Sequence, residues 1–363
     1  MSRTVQYGVF LPVGSGGWIP SSTVPELDGS YAYNKQVVQL SERLGFDFTL
    51  SQAVWRGYGG PSRHFDVNLE SLTATAGFAE ASDRIGVWST VNTALLHPAV
   101  AAKVVATGSQ ISGGRTGLNI VAGGNRVSEN QMGLGAGLDH GDKYRRAREW
   151  VEVVKRLWTE PVVDHDGEFF RLEDCQSEPK PVGGVPPMIC AATSDAGMRF
   201  TAECLDGLLF EGTSRDSMVQ LGLRAKEISA EVGRPLTTHC IFMVIPGETD
   251  ADAQRRIELY DSGRDDEAMA RMLFEHGTTS RDPLEFQRIK DEWSSSTAIS
   301  TGTIAGSPET ITEQLADIIA AGEIDSAVFI MPDFVGDLTV LGEQVLPALA
   351  KEGLVGASLP ATV

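Results

Sequence analysis

Residues 113–158 read GGRTGLNIVAGGNRVSENQMGLGAGLDHGDKYRRAREWVEVVKRLW. Thr116 to Val121 is a short apolar run with glycines on both sides, the pattern of a buried strand. Ala122 to Asp142 carries six glycines and reads as a loop. Tyr144, Ala147, Val151, Val154 and Trp158 then recur at helical spacing, with Arg and Glu on the other face. A strand that opens into a long glycine-rich loop and then a helix is a place to hold a ligand. Loops of this length are uncommon unless they are functional or disordered.

The same unit recurs along the chain. Strand-like runs span Val5 to Val13, Phe46 to Ser51, Ile85 to Val91, Met188 to Ala192, Gly207 to Phe210, Thr237 to Ile245 and Ala327 to Met331. With the run at Thr116 they make eight, nearly all followed by helical patterns. Lys35 to Leu44 is helical and stops at Gly45. Asn68 can cap a helix reaching Ala81, and Pro98 can open one running to about Ile111. Ser194 opens a helix to about Cys204, Asp216 to Val232 is helical, and Asp250 begins another. Ser307-Pro308-Glu309 is a helix start whose helix ends at Gly322, and Leu341 to Leu349 is the last helix. Two stretches break the alternation. VVDHDGEFFRLEDCQ reads as a hairpin around Asp166–Gly167, and residues 262–300 are polar and poorly periodic, as in a lid. Alternating strands and helices imply a parallel sheet, and eight units favour a closed (β/α)8 TIM barrel over an open doubly wound sheet. The expectation is one α/β domain over 1–363, with a hairpin insertion near 160–180 and a lid near 262–300.

Composition narrows the function. A formal charge of −19 argues against nucleic acid and against anionic membrane surfaces. MSRTVQYGVF has no signal-peptide core, and no apolar run is long enough to span a bilayer, so the expected location is cytoplasmic. Cys175, Cys190, Cys204 and Cys240 form no CxxC pair and are expected as reduced thiols, with Cys190 and Cys240 in the core. The six histidines show no metal-ligand spacing, so no metal is expected.

Barrel sites lie at the C-terminal strand ends. Those ends carry Trp18, Ser51, Gln52, Trp55, Thr90, Asn92, Asn119, Ser194 and Glu211. The set is rich in hydrogen-bonding groups and poor in acids and bases, which suggests that a cofactor carries the chemistry. ATSDAG, Ala192 to Gly197, places free backbone N–H groups and the Ser194 hydroxyl where a phosphate could bind, although Ser194 can also serve as an N-cap. Gly14 to Gly17 lacks the strand–GxGxxG–helix context of a dinucleotide site. His97, before Pro98, reads more readily as structural than catalytic.

These segments resemble the bacterial-luciferase-like flavin monooxygenases. The run ISGGRTGLNIVAGG, then ENQMG, then DHGDKYRRAREWVEVVKRLW is similar to that family's strand, flavin loop and helix. More narrowly, GVFLPVGSGGW, FDFTLSQAVWRGYGG, NLES, GEFF, SDAGM and FMVIPGETD resemble the pyrimidine oxygenases that open the uracil ring. The resemblance implies a TIM barrel that binds reduced FMN (FMNH2), supplied by a separate NAD(P)H:flavin reductase. It implies reaction with O2 through a flavin (hydro)peroxide, to oxygenate a small amide-containing or nitrogen heterocycle. It also implies a homo-oligomer. By position, Gln52 and Ala53 would lie beside the isoalloxazine, with Asn119 and Thr90 at the flavin and its oxygen-reactive edge. Lys143 and Tyr144 match the family's Arg-Tyr pair, Ser194 its phosphate-side serine, and Ser128 the position of its flavin-loop glutamate. Trp18, Trp55 and His140 are the substrate-pocket candidates. The chain departs from the pyrimidine oxygenases at Ala122, Gly124 and Ser128, where they carry Thr, Trp and Glu. An indole and a carboxylate are lost, which changes the pocket's size and polarity. Two other readings stand beside this one: a deazaflavin-dependent hydride-transfer enzyme of the same fold, and a non-catalytic flavin-binding protein.

Overall fold

The computed structural model describes residues 3–123, 126–134, 140–277 and 302–356. Its strands, in chain order, are β1 (Arg3–Leu11), β2 (Phe48–Ser51), β3 (Gly86–Asn92), β4 (Thr116–Val121), β5 (Val163–Asp166) and β6 (Arg171–Cys175). They continue with β7 (Met188–Ala191), β8 (Gly207–Glu211), β9 (Thr237–Pro246), β10 (Thr303–Gly306), β11 (Ser326–Ile330) and β12 (Leu354–Gly356). Parallel pairing runs β1–β2–β3–β4–β7–β8–β9–β11 and returns from β11 to β1. The ring is a closed eight-stranded barrel, built from the eight apolar runs of the sequence. Helices Tyr31–Arg43, Ser71–Glu80, Pro98–Ser112, His140–Thr159, Asp195–Cys204, Arg215–Val232 and Asp250–Ser262 follow its first seven strands, and Pro308–Ala321 leads from β10 into β11.

Side-chain alternation divides the core into two shells. Val5, Val9, Leu11, Phe242 and Phe329 point outward and pack under helices. Phe48, Leu50, Trp88, Ile189, Leu209, Ile241 and Val328 fill the lumen. Phe48 stacks on Trp88 with ring centroids 4.5 Å apart. Glycine makes room for these rings. A Cβ on Gly117 would stand 2.5 Å from the Trp88 ring, and one on Gly8 would strike Phe48. His239 completes this layer from β9, its ring centroid 6.2 Å from that of Phe48. Its Nε2 lies 2.9 Å from Thr237 Oγ1. Burial lowers its pKa to about 4 and keeps the imidazole neutral.

Caps account for most helix starts. Ser194, Ser214, Thr249 and Ser307 each accept from a backbone N–H in the first turn. His97 caps Pro98–Ser112, its Nδ1 accepting from Ala99 N at 3.2 Å, which is a structural role. The expected Asn68 cap is replaced by Glu70, whose carboxylate accepts from Leu72 N and Thr73 N. Asn68 instead donates to the Phe65 carbonyl. β5 and β6 pair antiparallel outside the barrel, with Asp166 opposite Arg171. Within 262–300, Asp266–Gly277 is a helix with Ala268, Met269 and Ala270 buried, and residues 278–301 lie outside those described. β10 extends the sheet beside β9, and β12 pairs with the start of β1. Neither stands out in the sequence. Cys190 and Cys240 are buried free thiols, and burial pushes Cys190 up to about 12.

Candidate functional site

The C-terminal ends of the strands carry a polar pair above the aromatic floor. Thr90 and Asn119 are register partners on β3 and β4. Each lies two residues beyond Trp88 or Gly117, so both share the lumen face. Asn119 Nδ2 donates to Thr90 Oγ1 at 3.2 Å. The two residues are 3% and 6% exposed, so the bond is shielded from water. Asn119 Oδ1 is buried with no partner among the described residues. An amide turned end for end would leave its NH2 facing the lumen in place of the carbonyl. In either orientation one buried polar atom has no partner among the described residues.

A second cluster stands on the neighbouring rim. β4 pairs with β7, and the chain leaves β7 into Ser194. Ser194 Oγ accepts from Gly197 N at 3.3 Å and caps helix Asp195–Cys204. Tyr144, from helix His140–Thr159, hydrogen-bonds Ser194; burial raises its pKa, and that bond opposes the rise. A Cβ on Gly197 would come 2.7 Å from the Tyr144 hydroxyl and 2.6 Å from Ala192 Cβ, so glycine is what lets both approach the helix start this closely. Lys143 precedes Tyr144 and is half-buried. Two hydroxyls and a helix N-terminus are donors that a phosphate monoester can use. The buried amide over an aromatic floor, and the hydroxyls at a helix start on the neighbouring rim, are groups of the kind that a flavin ring and a phosphate would each need.

The other candidates are placed as follows. Gln52 is buried, and its Nε2 donates to the Pro12 carbonyl, which fixes the amide against the end of β1. Ala53 lines a cavity shared with Thr90 and Trp55. Trp55 is 40% exposed, and its carbonyl accepts from Gln131 Nε2 at 3.0 Å. That bond ties the loop after β2 to helix Arg126–Gln131. Trp18 packs as a wall: its Nε1 donates to Phe10 O at 3.0 Å and its ring lies 4.6 Å from Phe10. Ser128 is buried on the short helix, beside the buried Glu129. Glu129 escapes sequence reasoning, because one acid in a glycine-rich loop reads as a solvated charge. Its Oε1 would lie 3.4 Å from a Cβ on Gly123, and it opposes the lowering that burial imposes on Arg146. His140 opens its helix, and its side chain lies outside the described residues. No group of three or more acidic, His or Cys side chains is placed to hold a metal ion among the described residues. No helix among them is long and apolar enough to cross a membrane.

Comparison with known proteins bears on the family and the fold. Residues 5–323 match the family model of luciferase-like monooxygenases. The pyrimidine monooxygenase RutA of Yersinia enterocolitica is 33% identical over 362 residues, covering 98% of both chains. That of Stutzerimonas stutzeri is 34% identical over 346 residues, covering 94% of this chain and 96% of the relative. Among solved structures, a riboflavin lyase with modified FMN and riboflavin superposes with TM-score 0.86 at 17% identity, covering 98% of this chain and 93% of that one. An EDTA monooxygenase from a Chelativorans species superposes with TM-score 0.81 at 21% identity, covering 97% and 95%. At those identities the likeness is one of fold.

Proposed function

The chain belongs to the luciferase-like monooxygenase family, and on that premise we propose that it is the oxygenating component of a two-component flavin monooxygenase. The observation that carries this reading is the buried Asn119–Thr90 pair with one amide atom left over, set above an apolar floor. Bound reduced FMN supplies two electrons to O2 and so makes one oxygen atom available to the substrate. The protein's own groups bind, orient and exclude water. Ser194, Tyr144, Lys143 and the first N–H groups of helix Asp195–Cys204 hold the phosphate. Gln52, Ala53 and Ser128 border the ring system. Asn119, positioned by Thr90, presents a fixed dipole where negative charge develops on oxygen, in a site too dry to screen it. Phe48, Trp88 and Leu50 close the lumen below.

The substrate class is a small nitrogen heterocycle related to pyrimidines, from the names of the relatives. A separate NAD(P)H:flavin reductase supplies the reduced cofactor, because the strand–GxGxxG–helix signature of a dinucleotide site is missing from the sequence. The protein works in the cytoplasm as a homo-oligomer.

The test is incubation with FMN, a reductase, NADH, ¹⁸O2 and a panel of nitrogen heterocycles, read by mass spectrometry. Incorporation of one labelled oxygen atom supports the proposal. Reduction or oxidation of a substrate without label would support hydride transfer instead, and the absence of any turnover would favour a flavin-binding protein.

A further inference from the structure

The Thr90 residue that receives Asn119 also lines a cavity of about 180 Å³. Its walls are Leu72 of helix Ser71–Glu80, Leu95 and Leu96 of the turn after β3, and Val104 of helix Pro98–Ser112, with Trp55 at the loop after β2. Its polar lining is Glu70, Thr73, Thr90 and Asn92, against seven apolar residues. Glu70 accepts from Leu72 N at 2.9 Å and Thr73 N at 2.7 Å. Asn92 Oδ1 accepts from Ala94 N at 2.9 Å. A ring with polar atoms on every edge would set some of them against the three leucines, where nothing replaces lost water. A ring with an apolar flank meets no such loss there. The size is set as well, since an apolar cavity of roughly 150 Å³ takes one benzene.

We propose that this cavity receives the apolar flank of the substrate, about one phenyl group in size, and so selects flanked heterocycles over bare rings such as uracil. The chemistry at that substrate rests on the flavin reading above, whereas occupation of the cavity does not.

Two measurements test this. The first uses toluene and uracil as probes of the flavin-free protein, followed by NMR saturation transfer and crystal soaks. Toluene is expected against Leu72 and Leu95, with binding weakened about tenfold or more in Val104→Trp and in Leu96→Trp. Val104 is half-exposed, so its variant tolerates the bulk if the second does not fold. The proposal is overturned if toluene finds no site there, if both folded variants bind it as well as wild type, or if uracil fills the cavity equally. The second compares kcat/KM for parent rings and their phenyl-bearing derivatives. A gain of about tenfold or more for the derivative, erased by Val104→Trp, is expected, and equal use of both overturns the proposal. FMN titration of the same samples reports separately on the flavin reading.

Discussion

Asn119 of β4 donates to Thr90 of β3 across 3.2 Å, and both side chains stand over a floor made by Trp88 and Phe48. Strand register brings the two together, since their Cα atoms are direct partners. In a water-poor lumen such a bond is electrostatically stronger than in solvent, and it fixes the amide plane. Thr90 is then the positioning partner of Asn119. Thr90→Val keeps the shape and removes the hydroxyl. Oxygenated product should fall by roughly 10-fold to 10²-fold, short of the loss from deleting a transition-state donor itself. FMN affinity should hold, and Thr90→Ser should restore most of the rate. A Thr90→Val enzyme with wild-type product formation would remove Thr90 from the mechanism.

The helix start at Ser194 should discriminate FMN from riboflavin. Ser194→Ala removes one hydroxyl partner, and Gly197→Ala puts a methyl 2.7 Å from the Tyr144 hydroxyl. A hydrogen bond to a charged group contributes about 1.5–3 kcal/mol, so FMN should bind roughly 10- to 100-fold more weakly in either variant. Riboflavin, without the phosphate, should bind as it does to wild type. Calorimetry with both flavins checks this, and equal losses for the two would place the phosphate elsewhere.

His239 gives the stability a pH dependence. Burial holds its folded pKa to about 4, against a weaker opposing pull from Asp325, while its ordinary value is 6.5. Between these values the unfolded chain binds a proton that the folded protein does not. The stabilising contribution is therefore full above about 6.5 and is lost as pH falls toward 4. His64, also lowered to about 4 by burial, acts in the same direction. Urea unfolding at a series of pH values should show a shallower decline in His239→Leu than in wild type. Identical slopes would contradict the assignment.

The lumen's aromatic layer should resist added volume. Gly117→Ala would set a methyl 2.5 Å from the Trp88 ring, in a layer already closed by Phe48. Overpacking of this kind costs about 1–3 kcal/mol. A urea midpoint unchanged from wild type would show that the ring has room to move.

The barrel was legible because apolar runs and glycine stops are local. Each of the eight barrel strands sits on one such run. β10 and β12 are not, because β10 reads TIAG with Ile304 as its one large apolar residue, and β12 has three residues. Helix Asp266–Gly277 was missed for another reason. Its packed face rests on Ala268, Met269, Ala270 and Met272, two of them alanines, so the helical period is faint among charged neighbours. Asn68 and Glu70 can both accept from a helix start, and only the chain's course decides for Glu70. At the candidate site, alternation along β3 and β4 indicates which face Thr90 and Asn119 take. Their register, which creates the hydrogen bond, depends on pairing between distant segments. The Tyr144–Ser194 contact and the burial of Glu129 depend on tertiary packing in the same way.

The central claim is that Asn119 holds an oxygen species in place rather than only bracing its loop. The direct measurement is oxygenated product formed per reduced FMN consumed, in wild type and in Asn119→Ala, with FMN affinity determined on the same samples. The account predicts a variant that folds, keeps FMN and still consumes reduced flavin, with H2O2 replacing product and the productive rate down by roughly 10²–10³. Wild-type coupling and rate in Asn119→Ala would contradict it.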